Sequence, residues 1–74
     1  LSAAHRAASS IPLNLAEGRG KRTRREQIRY FTIAMGSLRE SQAILILGKL
    51  CDSAEWKKLD ILGAHLYRLI KNAQ

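Results

Sequence analysis

Along the first seventeen residues, apolar side chains recur at Leu1, Ala4, Ala8, Ile11 and Leu15, spaced 3, 4, 3 and 4 apart. That spacing places them on one face of an α-helix. Pro12 falls inside the pattern. A proline within a helix loses one hydrogen bond and crowds the preceding turn, yet the stripe keeps its phase through it. The prediction is a kinked continuous helix, or two short helices stacked end to end. Ser9 and Ser10 are placed to bond carbonyls at the kink. Gly18 and Gly20 are expected to end the helix, with glycine taking a left-handed C-cap conformation.

A second helix is predicted from Thr23-Arg24-Arg25-Glu26, whose threonine and glutamate match a capping box. Ile28, Phe31, Met35, Leu38 and Leu45 form one face of it, interrupted by Gln42. Tyr30, Ala34, Ser37, Ser41, Ile44 and Leu47 form another, so this helix is expected to meet more than one neighbour. Gly36, Ser37 and Ser41 are small enough to let a second helix come close, and Gly48 weakens the helix end. Asp52-Ser53-Ala54-Glu55 reads as a second capping box. Behind it Trp56, Leu59, Leu62, Leu66 and Leu69, with Ile70 alongside, build a third amphipathic helix ending near Lys71 and Asn72. No run alternates as a strand would, and no internal repeat is visible. The pattern predicts an all-α, antiparallel up-down bundle in a single domain over residues 1–74.

Charge changes the picture. Thirteen Lys and Arg against six Asp and Glu give a net charge of +7, and the pI is near 10.4. Such a field favours nucleic acid, an acidic protein or an acidic membrane surface. The longest strongly apolar run, Ala43–Leu47, is far too short to cross a bilayer. The lone Cys51 allows no internal disulfide and suits a reducing cytoplasm, where it is expected to act as a small apolar filler.

The basic residues are concentrated in Arg19, Lys21, Arg22, Arg24, Arg25 and Arg29; with Glu26 the segment carries +5. Arginine forks match phosphate geometry, and each neutralised phosphate releases counterions. Arg24 and Arg25 fall in the first turn of a helix, where the positive end of the dipole disfavours them. The bland alternative is a solvated turn that serves solubility; the third is a contact with an acidic protein. Aromatic residues hardly interleave with this cluster, which predicts recognition of backbone and shape rather than base stacking. Asn14 and Glu17 flank the kink: Asn14 is expected to satisfy backbone groups near Pro12, and Glu17 to pair with a nearby arginine. Glu40 is expected in a buried pair or a subunit contact. Trp56 is expected to anchor a core or an interface.

His5 and His65 have no partners at metal-ligand spacing. No Ser-His-Asp or Cys-His set can be assembled, and Gly18-Arg19-Gly20 alone is no phosphate loop. No catalytic residues, no metal and no cofactor are expected.

The ordered run Ser10-Ile11-Pro12-Leu13-Asn14-Leu15-Ala16-Glu17-Gly18, followed by Lys21-Arg22-Thr23, Glu26, Arg29-Tyr30-Phe31, Ile33-Ala34, Gly36-Ser37-Leu38 and Glu40, resembles the bacterial four-helix-bundle family called 23S rRNA intervening-sequence or S23-type ribosomal protein. The motif covers about Ala8 to Leu50, and the last helix fits in position and length. Leu15 stands where the family often has isoleucine, Thr23 replaces a serine, and Gln27 replaces an aromatic residue. The resemblance implies a four-helix bundle with a further helix before Leu1, whose loss would bare apolar surface. It also implies a ring-like homo-oligomer, typically a pentamer, with Pro12, Asn14, Glu17, Gly18, Gly36, Ser37, Leu38 and Glu40 in structural or subunit-contact roles. Members are encoded within intervening sequences of large-subunit rRNA genes and elsewhere. Some related proteins are accessory factors of diversity-generating retroelements and work with a reverse transcriptase and RNA. The expected partners are therefore other copies of the chain and RNA or DNA backbone, with an acidic protein such as a nucleic-acid enzyme as the alternative.

Overall fold

The computed structural model describes residues 3–74, with side-chain surroundings from Arg6 onward. The first stripe's Leu1, and the side chains of Ala4 and His5, lie outside the described residues. Three helices form: α1 (Ala3–Arg19), α2 (Arg24–Leu47) and α3 (Ala54–Ala73). No strand occurs among the described residues.

Helix α1 is continuous through Pro12, and not two short helices stacked end to end. Ser9 Oγ donates to the Arg6 carbonyl at 2.8 Å and Ser10 Oγ to the Ala7 carbonyl at 2.9 Å. These bonds gird the turn before the proline, whose missing amide strands the Ala8 carbonyl. Asn14 Nδ2 donates to the Ser10 carbonyl at 2.8 Å, and not to the Ala8 carbonyl that the proline frees.

Gly18 does not end α1. It is buried inside the helix, and no glycine has a positive φ among the described residues. Its place is set by closeness: a Cβ there would lie 2.7 Å from Phe31 Cε1. The helix closes instead through amides bonding backwards, Gly20 to Ala16 and Glu17 and Lys21 to Gly18, each at 3.2 Å.

At the start of α2, Thr23 caps as predicted and accepts from the Glu26 amide at 3.2 Å. The Glu26 carboxylate does reach back, but it accepts from the Thr23 hydroxyl at 3.1 Å rather than from the backbone. The second cap is one residue later than predicted. Ser53, not Asp52, accepts from the amide three residues on, which is that of Trp56, at 3.2 Å. Its hydroxyl also donates to the Leu50 carbonyl at 2.7 Å, and this second bond selects serine over the neighbouring aspartate.

The end of α2 carries the one positive-φ residue among those described, Lys49 at φ 60°. The Leu50 amide bonds the Leu45 carbonyl at 2.8 Å and the Lys49 amide bonds Ile46 at 2.9 Å, the paired bonds of a Schellman motif. A lysine there bears the left-handed penalty that glycine escapes. Lys49→Gly is expected to raise stability by about 1 kcal/mol, read as a higher urea midpoint at unchanged slope.

Packing follows from these ends. Ile11, Phe31, Ala34, Leu38 and Leu66 form the buried core, with Leu15, Met35, Leu59 and Leu62 packed against it. Gln42 is buried as well, although it interrupts the apolar stripe. Arg39 Nη1 donates to its Oε1 at 2.8 Å, while Nε2 has no partner among the described residues. With the Ser10 proton given to the Ala7 carbonyl, Ser37 Oγ donates to Ser10 Oγ across the α1–α2 interface, so the small residue at 37 does bring two helices together. Cys51 is exposed in the α2–α3 turn and fills no core space.

Helix α1 packs on α2 and α2 on α3, whereas the α1 and α3 backbones do not approach one another. The molecule measures 39 × 22 × 14 Å, and a groove separates α1 from α3.

Candidate nucleic-acid interface

The basic segment is held rigidly. Arg19 closes α1, Arg24 and Arg25 open α2, and the turn between them is bounded by the helix end and the Thr23 cap. Gln27 Nε2 donates to the Lys21 carbonyl at 3.1 Å and ties the turn down onto α2. Its amide thus has a role that the family's aromatic residue could not fill.

The six cations divide by their surroundings. Lys21 is engaged: its Nζ lies 4.0 Å from Glu17 Oε2 and 5.0 Å from the centroid of the Tyr30 ring. Glu17 therefore pairs with a lysine, not with an arginine as expected, because the i,i+4 spacing across the helix end favours Lys21. The Arg29 guanidinium lies 5.9 Å from the same ring. Arg19, Arg22, Arg24 and Arg25 are exposed, and none has a carboxylate within ion-pair distance among the described residues. These four are available to an anion. Two of them sit in the first turn of α2, where they cost about 0.3–1 kcal/mol each.

The fold adds residues that sequence reasoning missed. The end of α3 lies beside the basic turn: Arg19, Gln27, Phe31, Leu69, Asn72 and Ala73 line one shallow depression. A second runs along the α1–α3 groove, where Leu15, Leu62, Leu66 and Leu69 form the floor and Arg19 and Arg68 stand at its sides. Arg68 thereby joins Arg19 at the basic end of the molecule. The up-down topology itself is the signal that could have found them, since it returns the third helix's end to the first turn.

The other residues named from the resemblance are scattered. Leu38 is fully buried within the chain's own core and offers no surface to a second copy. Glu40 is exposed rather than in a buried pair, since it points away from both interfaces of α2. Gly36 is exposed, and among the described residues a Cβ there would meet nothing within 4 Å, so none of their side chains uses the room it leaves. Pro12 is exposed on α1. Trp56 is half-buried at the start of α3. Among the described residues no three His, Cys, Asp or Glu side chains gather as a metal site would need. No described helix is long and apolar enough to cross a membrane.

Comparison with curated proteins and with solved structures found no match. The family model described as 23S rRNA-intervening sequence protein matches residues 2–73, nearly the whole chain. That description names no reaction, and it ties the family to intervening sequences of 23S rRNA. The all-helical fold, the capped turn after Gly18 and this match agree: the chain belongs to the 23S rRNA-intervening sequence protein family.

Proposed function

We propose that this protein is not an enzyme and binds RNA or DNA backbone electrostatically, with RNA the better fit to its family. The carrying observation is the set of four exposed arginines, Arg19, Arg22, Arg24 and Arg25, left without carboxylate partners around a rigid turn. Placing two of them against the helix dipole works against stability, which a purely structural turn has no reason to do.

The protein acts as a homo-oligomer in the cytoplasm, a pentamer by analogy with its family. Leu13 at 63% exposure and Leu47 at 85%, together with the open surface over Gly36, support further helix contacts. Repeating the basic end around a ring would multiply weak phosphate contacts. The apolar groove between α1 and α3 suits a helix from another copy of the chain. The apolar floor and arginine sides of that groove also keep an acidic helical partner as the second reading.

Fluorescence anisotropy with a labelled rRNA fragment over several salt concentrations tests the proposal. Wild-type affinity is expected to fall steeply with salt. Replacing Arg22, Arg24 and Arg25 together by Ser should lower affinity at least about tenfold and flatten the slope of log K against log salt by up to about 3. Helicity and oligomer size should persist. Unchanged affinity in that variant would remove the turn from binding. Absence of binding at low salt would move the function to a protein partner.

A further inference from the structure

The basic turn offers no free aromatic ring. Phe31 is buried, and Tyr30 is half-buried, with both Lys21 and Arg29 against its ring. A different face of the molecule does offer one. On the outer side of the α2–α3 pair, Arg39, Asp60, Gly63, Ala64, Tyr67 and Arg68 line an open groove of about 550 Å³. Tyr67 is 59% exposed, a large exposure for an aromatic ring with a small-residue floor beside it.

Its surroundings are cationic. Lys71 Nζ lies 5.7 Å from the ring centroid, one helical turn along α3. Arg68 stands next to it in the chain. Arg39 borders the groove from α2, and its guanidinium is anchored by Gln42 Oε1. The floor is Gly63 and Ala64, which have little or no side chain, so the ring stands above it. Asp60 is the single carboxylate lining the groove.

We infer that this α2–α3 face binds a single-stranded stretch of nucleic acid, with one unpaired base stacked on Tyr67 and the flanking phosphates on Arg39, Arg68 and Lys71. The inference rests on the nucleic-acid reading proposed above and adds a strand preference to it. A base inside a duplex is stacked on its neighbours and cannot present a face to the ring, whereas an unpaired base can. Cations beside an aromatic ring are the combination that tracks a single strand without reading its sequence. Arg68 lines both this groove and the one beside Arg19, so a strand leaving the turn can follow α3 onto the ring.

The test compares two labelled probes, an oligouridine of about a dozen nucleotides and an RNA duplex of similar length. Four proteins are titrated: wild type, Tyr67→Ala, Tyr67→Phe and the triple arginine-to-serine variant. Tyr67 is exposed, so its truncation should leave the thermal midpoint nearly unchanged. Tyr67→Ala is expected to weaken oligouridine binding by about 5- to 100-fold and to leave duplex binding as it was. Tyr67→Phe keeps the ring and should bind both probes like wild type. Oligouridine affinity unaltered in Tyr67→Ala, an equal loss on both probes, or a Tyr67→Phe variant as impaired as Tyr67→Ala would each overturn the inference. If the triple variant loses binding while Tyr67→Ala does not, only this inference fails. If wild type binds neither probe, the nucleic-acid reading fails with it.

Discussion

Leu38→Asp is expected to abolish the cooperative thermal transition of the chain. Leu38 has no exposed surface and belongs to the core cluster with Ile11, Phe31, Ala34 and Leu66. Its methyl groups lie 3.5 and 3.8 Å from where a Cβ of Gly63 would stand, so α3 packs directly over it. Truncation to Ala alone would cost about 2–5 kcal/mol in lost transfer energy and residual cavity. Aspartate adds a carboxylate buried without a partner, which costs several kcal/mol more or forces protonation. A domain this small has a total stability of about 5 kcal/mol or less to oppose that. Leu38→Met, which conserves volume, should cost less than about 1.5 kcal/mol. Circular dichroism melts of the three proteins decide the matter. A wild-type melting curve for the aspartate variant would mean that residue 38 does not face the core.

Gly18→Ala is expected to destabilise the protein by about 1–3 kcal/mol, against the direction that helix propensity sets. Replacing glycine by alanine inside a helix ordinarily gains about 1 kcal/mol. Here the new methyl would sit 2.7 and 2.9 Å from two ring carbons of Phe31 and 3.1 Å from Tyr30 Cβ. Phe31 is buried in the core and has little room to swing, and Tyr30 Cβ is fixed to the α2 backbone. Relief requires α1 and α2 to separate at the end that carries the basic turn. Combining Gly18→Ala with Phe31→Leu should recover part of the loss, a coupling that a double-mutant cycle measures directly. A simple gain in stability for Gly18→Ala would show that the two helices do not approach so closely there.

Gly18 also shows what a sequence conceals. The three helices were legible because their apolar spacings are regular and because Thr23 precedes Glu26 at capping distance. A glycine at a helix end, however, is compatible both with a left-handed cap and with close helix approach, and only the neighbouring helix decides between them. The Asp52–Ser53 pair was ambiguous in a similar way. Both residues cap well, and the Leu50 carbonyl that favours Ser53 is supplied by the preceding turn. Gln42 looked like a break in the stripe because residue type reports polarity and not the reach of Arg39 to its amide. For the candidate interface, the arginines contiguous in sequence were legible as a cluster. Arg68, Lys71 and Tyr67 were not, since only the return of α3 brings them to the same end or exposes a ring beside cations.

The arrangement in which α2 contacts both other helices, while their backbones stay apart, has a kinetic consequence. Each interface joins helices adjacent in the chain, so folding needs only two short hairpin closures and no distant encounter. Such low contact order belongs to proteins that fold in microseconds to milliseconds. The α1–α2 hairpin is the more extensively packed of the two. It carries the basic turn, so the surface proposed to contact phosphate is expected to form in the first closure, with α3 docking onto the hairpin afterwards.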